Sequence, residues 1–227
     1  MVGFKPVINN FYGLPKVHKS KTICDAITNS NNYDEVLNIE NCPDLSFRPI
    51  VGGCMGPTHR LSEFVDICLR PYLKHIRSYL KDTFHFLELL PKTVPEHTIL
   101  CTFDVVNLYG SINHELTIEA ITYWIRQHPD DLPTRISLDF VIGGLKIILM
   151  ENNFVFDNLW YKQVKGVAMG TKCAPTVANL VMGFLEIKLY NDIKEKFSLE
   201  VEQKFKQNFL RFLDDLLLAL EHRFTGY

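Results

Sequence analysis

Residues 208 to 221, NFLRFLDDLLLALE, set two adjacent carboxylates, Asp214 and Asp215, inside a run that is otherwise almost wholly apolar. Leu213 and Leu216 to Leu218 mark the run as buried strand or helix, and taking an unpaired carboxylate out of water costs several kcal/mol. A basic partner, a proton held by a raised pKa, or a metal ion can balance such a pair. Arg211, the nearest base, brings one charge against two, so a divalent cation sharing a third carboxylate balances it better. Asp104 is a candidate for that third group, near the end of the apolar stretch TILCTFDVVNLY, residues 98 to 109. If its strand lies beside the segment carrying Asp214 and Asp215, three carboxylates gather at one end of a sheet. Hard cations such as Mg²⁺ bind through one or two carboxylates plus substrate phosphates, and two ions roughly 3.5–4 Å apart serve both the attacking and the leaving oxygen. The chemistry implied is phosphoryl or nucleotidyl transfer.

The elements that must position these residues alternate in type. TILCTF reads as a strand buried on both faces. Apolar spacing over residues 59 to 81 predicts an amphipathic helix bent at Pro71. A second helix is expected from Asn113, as N-cap, to His128, and a third from Ser137 to Met150. FVFDNLWYKQV reads as a hairpin turning at Asp157 and Asn158, APTVANLVMGFLEIKLYNDI as a long buried helix, and FLRFLDDLLLAL as two short strands meeting at the aspartates. Residues 27 to 42, ITNSNNYDEVLNIENC, read as an exposed loop or insertion. The order of elements is α+β with hairpins and excludes a purely parallel sheet.

The chain has 227 residues, 47% of them hydrophobic, enough for one domain or for one domain with a smaller lobe. Its six cysteines show no CxxC spacing, which indicates a reducing, intracellular compartment. No stretch has the length and uninterrupted apolarity of a membrane span, since FVIGGLKIILM is short and contains Lys146. The formal charge of −2 hides a pattern. Residues 1 to 21 carry Lys5, Lys16, Lys19 and Lys21 and no acid, residues 22 to 47 carry five acids and no base, and residues 48 to 81 carry six bases against Glu63 and Asp66. Such basic segments either grip a phosphate backbone from one face or form a mixed solvated surface. His18, His59 and His75 have no partner at metal-site spacing and read as hydrogen-bonding groups, and Trp124, Trp160 and Phe212 as core.

Four motifs in order carry a resemblance. FDVVNLYGSIN resembles motif A of reverse transcriptases, GVAMGTKCAPTVANL motif B, and RFLDD motif C. Upstream, FYGLPKVHK followed by FRPIVGG is similar to the fingers entry of Penelope-like retroelement reverse transcriptases, a group similar to telomerase catalytic subunits in its palm. The resemblance spans roughly residues 9 to 221. It implies a right-hand polymerase fold with fingers over residues 1 to 97, carrying an acidic Asn-rich insertion at about 22 to 47, and a palm over 98 to 227. It further implies an RNA-directed DNA polymerase that joins deoxynucleoside triphosphates to a DNA primer on an RNA template, with two Mg²⁺ ions or Mn²⁺ in their place. A thumb and often a GIY-YIG endonuclease domain accompany this palm in the family, and the chain ends about a dozen residues after Asp215. The expectation is therefore a palm-and-fingers fragment without a thumb. An inactive retroelement remnant, or a nucleic-acid-binding domain without catalysis, is the alternative.

Carried over by residue, the resemblance makes Asp104 and Asp214 the principal ligands of both ions and Asp215 the second acid of motif C. Tyr109 falls where a bulky ring excludes a 2′-hydroxyl, and is otherwise a core aromatic. Gly170 belongs to the motif B turn that passes close to the nucleotide, where absence of Cβ permits close backbone approach. Met169 replaces the glutamine of many reverse transcriptases and is assigned no polar role. Arg48 matches the fingers base that contacts the triphosphate. Lys16 and Lys19 lie in a loop that can track template phosphates, or on a solvated surface.

Overall fold

A computed structural model describes residues 7–30, 39 and 41–221. In chain order it contains β1 (Asn9–Pro15), α1 (Lys21–Asn29), β2 (Phe47–Gly52), α2 (His59–Leu69), α3 (Thr83–Leu89), β3 (Thr98–Asp104), the single turn α4 (Leu108–Ser111), α5 (His114–Gln127) and α6 (Leu138–Met150). The hairpin β4 (Asn153–Phe156) and β5 (Leu159–Lys162) follows, then α7 (Ala174–Lys196), α8 (Leu199–Asn208) and the hairpin β6 (Phe209–Phe212) and β7 (Asp215–Glu221). One sheet has the order β2-β1-β4-β5, with β1 antiparallel to β2 and parallel to β4. The other is antiparallel throughout, in the order β3-β7-β6. The α+β class expected from the sequence is the one observed.

The core lies among α2, α5, α6 and α7, where Val65, Leu69, Ile121, Leu145, Val177, Leu180 and Val181 are buried together. Trp124 is part of it, and its indole N–H, which needs a partner once buried, donates to the Leu180 carbonyl at 2.8 Å. Both expected helix starts are present. Asn113 Oδ1 accepts from Leu116 N at 2.6 Å and Ser137 Oγ from Phe140 N at 3.2 Å, each satisfying one of the orphan donors of a first turn. The β4–β5 turn has φ 49° at Asp157 and 58° at Asn158, the two positive angles of a type I′ hairpin.

Three expectations need correction. The helix over 59 to 81 stops at Leu69 and passes into a 3₁₀ turn, Arg70–His75, with Pro71 in its first turn. Proline lacks the N–H an α-helix would use there. Beyond it the chain runs along β6, with Arg211 N donating to Ser78 O at 2.7 Å and Leu80 N to Arg211 O at 2.9 Å. Tyr72, Leu73, Ile76 and Leu80 are buried as their spacing implied, but Ile76 and Leu80 lie beyond the helical turns. The 22 to 47 tract is partly structured, since α1 is capped by Ser20, whose hydroxyl also meets Asp44 Oδ1 at 2.9 Å. The backbone N–H of Thr22 holds the Asp44 carboxyl below its usual range. Residues 31–38 and 40 of that tract lie outside the described residues. Finally, β3 is not buried on both faces. It is an edge strand whose Ile99, Leu100 and Phe103 are exposed, and of its residues only Cys101 packs against the small cluster of Tyr190, Phe209 and Leu218. No helix among the described residues is long and apolar enough to cross a membrane.

Arg211 does not neutralise the aspartates beside it. Its side chain is fully buried and turned toward α7. There Nε donates to Glu186 Oε1 at 2.5 Å and Nη1 to Asn179 Oδ1 at 2.7 Å. Ser78 Oγ donates to the other Glu186 oxygen at 2.5 Å, and Tyr190 OH donates to that same oxygen at 3.4 Å. The phenol of Tyr190 is pushed above its ordinary value by burial first and by Glu186 second. Every partner of this ion pair would be stranded if one member were removed. Glu186→Ala is therefore expected to cost about 3–5 kcal/mol in urea denaturation, while the double change Glu186→Leu with Arg211→Met recovers most of it, because an apolar pair leaves no buried charge alone.

Candidate active site

The β3–β7 register sets Asp104 opposite Asp215, and Val105 N donates to the Asp214 carbonyl at 2.9 Å. The two acidic segments thus meet at one end of the sheet on adjacent antiparallel strands, as the sequence suggested. Asp104 and Asp214 line one cavity of about 520 Å³ together with Tyr109, Arg48, Lys16 and Lys19, a volume within the range of small-molecule sites. The bases arrive from the other sheet. Arg48 sits on β2 opposite Leu14 of β1, and Lys19 in the turn that follows β1 reaches to 3.8 Å from Asp104 Oδ2. Both side chains of that pair are more than half exposed, so its contribution to stability is small.

Asp215 and Gly170 are not among the residues lining this cavity. Asp215 lines a separate, mainly apolar recess of about 390 Å³ with Leu80, Phe86, Phe103 and Phe212. The premise that the aspartates are buried in apolar surroundings also fails. Asp104 and Asp215 are exposed and Asp214 is intermediate, since the acids lie at or beside the hairpin turn of Leu213 and Asp214, whose leucine alone faces the core. Leu213 has φ 56° at the loop position a II′ turn normally gives to glycine. Arg211 Nη1 donates to its carbonyl at 3.1 Å, and its side chain packs against the main core, which together hold the strained residue.

Gly170 is required for a reason other than ligand approach. Its φ is 113°, and a Cβ there would sit 2.1 Å from the Val51 carbonyl oxygen. Val51 N donates to Met169 O at 2.9 Å, so the 166–172 loop is laid directly against β2. The same loop is fixed at its other end by Val167 N donating to Tyr109 O at 2.8 Å, with Gly166 at φ 81°. Tyr109 is thereby held at the cavity wall, partly buried, and its phenol is shifted upward first by burial and then by the charge of Asp214. Phe47 and Asn107 also line the cavity and were not singled out in the sequence, and Leu213, read there only as a mark of burial, lines it too. Asn107 did carry a signal, since asparagine is the side chain best suited to the left-handed angles, φ 52° and ψ 48°, that it adopts before α4. Trp160 and Phe212, expected in the core, are exposed.

Among the described residues no group of three or more His, Cys, Asp or Glu is set to hold a metal. Asp104 and Asp214 offer oxygen donors from adjacent backbones to a shared, water-accessible cavity. That donor set fits Mg²⁺ or Mn²⁺, which keep several waters and take their remaining ligands from phosphate oxygens.

No protein-family model and no curated protein sequence matches the chain. Solved structures do match. The chain is similar to telomerase from Candida albicans in complex with a fragment of telomeric RNA, with TM-score 0.57 and 12% identity over 78% of this chain and 36% of that one. It is similar to telomerase from Candida tropicalis in complex with such a fragment, at TM-score 0.54 and 15% identity over 73% and 29%. A third match is apo telomerase from Candida tropicalis truncated from its C-terminal domain, at 0.52 and 16% over 71% and 34%. The chain thus spans about a third of the length of the structures it matches. At these identities the likeness is one of fold, and the fold is of the reverse-transcriptase type.

Two glycines separate a packing requirement from simple tolerance. Gly170→Ala is expected to destabilise the protein by more than about 2 kcal/mol, since both its φ and the Val51 carbonyl oppose a side chain. Gly143→Ala, in α6 with nothing within 4 Å of a new Cβ, is expected to stabilise by about 0.5–1 kcal/mol. Urea denaturation of the two variants measures both.

Proposed function

We propose that the chain carries the nucleotidyl-transfer site of an RNA-directed DNA polymerase related to those of Penelope-like retroelements. The observation that carries the reading is the meeting of Asp104, Asp214, Tyr109, Arg48, Lys16 and Lys19 around one cavity, although they come from four separate stretches of sequence. In this reading β1, β2 and the turns between them act as fingers, and the β3-β7-β6 sheet with α5 to α7 acts as palm. The telomerase of the structural comparison is solved with RNA, and an RNA template is the corresponding partner proposed here, with a DNA primer and deoxynucleoside triphosphates.

Asp104 and Asp214 would hold divalent cations, Mg²⁺ or Mn²⁺, against the triphosphate. When bound, such ions supply an activated 3′-oxygen and charge relief on the leaving pyrophosphate. Arg48, Lys16 and Lys19 bind the phosphates from the opposite wall, with the arginine fork suited to two oxygens at once. The Tyr109 ring, held by Val167 through its backbone, bounds the space beside the sugar and opposes a 2′-hydroxyl. Asp215 has a lesser part, because it lines the other recess. Its carboxylate contributes to the field at the hairpin tip.

The test is nucleotide binding and incorporation in parallel. Titration of dTTP with Mg²⁺ should show metal-dependent binding that Asp104→Asn and Asp214→Asn each weaken about 10- to 100-fold, the loss of a charged ligand. Asp215→Asn should change it far less. Tyr109→Ala should narrow the preference for dATP over ATP. Template-directed addition of a deoxynucleotide that Asp104→Ala abolishes completes the case. Metal-independent nucleotide binding unaffected at Asp104 and Asp214 would overturn it.

A further inference from the structure

One peptide unit of the loop after β5 is held at both of its polar atoms by a single short stretch of chain. Val167 N donates to the Tyr109 carbonyl at 2.8 Å. The Gly166 carbonyl, the other end of the same peptide unit, lies 3.1 Å from His114 Nε2. A carbonyl oxygen only accepts, so Nε2 carries the proton and donates. Gly166 and Val167 are buried, and a buried backbone carbonyl needs a donor, which the imidazole supplies.

The two ends of this clamp differ in support. His114 is the first residue of α5, which Asn113 caps and whose Ala120, Ile121 and Trp124 are buried in the main core. Tyr109 lies in the single turn α4. The clamped peptide is pressed against the backbone of that turn, since a Cβ on Gly166 would stand 2.7 Å from the Tyr109 carbonyl oxygen and 2.9 Å from Gly110 Cα. Val167 also lines a recess of about 280 Å³, which adjoins the catalytic cavity because Pro49, Asn107 and Met169 line both. His114 does not line that cavity. It lines a groove of about 620 Å³ between α5 and α6, with Ile118, Lys146 and Leu149, so any effect it has on the reaction passes through the loop.

We propose that His114 is a positioning residue for sugar discrimination. Its hydrogen bond fixes the plane of the Gly166–Val167 peptide, the N–H of that peptide fixes the Tyr109 carbonyl, and the Tyr109 ring keeps its place beside the sugar. The peptide is planar, so its C=O and N–H turn together, and losing the donor at one end loosens the tether at the other. The inference rests on the polymerase reading, in which Tyr109 opposes a 2′-hydroxyl. It gives His114 no part in making or breaking bonds.

The test reads nucleotide preference and the clamp separately in the full chain. Mg²⁺-dependent binding of dATP and of ATP gives the preference, and amide hydrogen exchange at Val167 gives the clamp. His114→Phe, which keeps a ring and removes the donor, should narrow the dATP preference about 2- to 10-fold, the weight of one hydrogen bond. Exchange at Val167 should rise by about the same factor. His114→Leu, smaller and equally without a donor, should do the same, so the result does not hang on the fit of one ring. His114→Gln, whose amide nitrogen takes the place of Nε2, should restore both readouts. Lys146→Gln, in the same groove on α6, should change neither. Unaltered preference in the donor-free variants, where Tyr109→Ala does narrow it, overturns this inference and leaves the polymerase reading standing. So does a narrowed preference that His114→Gln does not restore, that Lys146→Gln reproduces, or that comes without faster exchange at Val167. A wild-type chain with no metal-dependent preference, or one that Tyr109→Ala does not alter, refutes the polymerase reading and this inference with it.

Discussion

The buried pair of Arg211 and Glu186 is the constraint on which the site depends. Arg211 belongs to the strand that delivers Asp214, yet its guanidinium is spent on α7, where Glu186 and Asn179 take its Nε and Nη1 donors. Its backbone meanwhile takes up Ser78 and Leu80, so an otherwise non-regular segment becomes a fourth rail of the sheet. A buried ion pair adds little net stability compared with an apolar replacement, but it resists displacement in any direction. The consequence is positional. Nη1 also reaches the Leu213 carbonyl, one residue from Asp214, and the strained left-handed turn is held by the group that anchors the strand.

A second constraint links the two sheets. The loop after β5 is tied to Tyr109 at Val167 and to Val51 at Met169, and at both tie points a glycine in the left-handed region removes the side chain that would collide. Gly166 faces the Tyr109 carbonyl and Gly170 the Val51 carbonyl. The loop therefore sets the separation between the wall that carries Arg48 and the wall that carries Asp104. Met169 then lines the cavity and the adjoining recess alike, so this short loop bounds both. Its glycines serve backbone packing within the chain first, which explains why Gly170 itself does not line the cavity.

What could be read in the sequence followed from local rules. Caps at Asn113 and Ser137, the Asp157–Asn158 turn and the long α7 each rest on interactions within a few residues. The order of motifs carried the convergence of Asp104 with Asp214, since no local rule does. The failures share a different cause. Apolar runs mark burial but not its side, so TILCTF read as a strand covered on both faces when it lies at an edge, and Ile76 and Leu80 read as helix when only their burial was encoded. Arg211 read as too little charge for its neighbours, and the structure directs it elsewhere altogether, to Glu186 and Asn179 of α7, a partnership that sequence adjacency conceals. Helix α8 went unseen although Ser198 caps it and Glu200 and Glu202 suit its first turn. Its mixed composition, LEVEQKFKQN, hides the periodicity that would have shown it.

The charge distribution of the cavity orders the events of the proposed reaction. Lys16, Lys19 and Arg48 outnumber Asp104 and Asp214, and Lys19 already stands near Asp104. A bare divalent ion approaching this wall meets two acids but also a field of the wrong sign, screened over the length of the open mouth. A triphosphate would meet the opposite situation, since Lys16, Lys19 and Arg48 would attract it before any ion is in place. In the proposed reading Asp104 and Asp214 would hold a hard cation whose remaining ligands phosphate oxygens supply, and Lys19 would be free to pass from Asp104 to a phosphate. The exposed Asp104, loosely paired with Lys19, suits that exchange. A tightly caged metal would have to be dismantled at each turnover of the proposed reaction, whereas a site completed by its substrate would be remade by every nucleotide that entered.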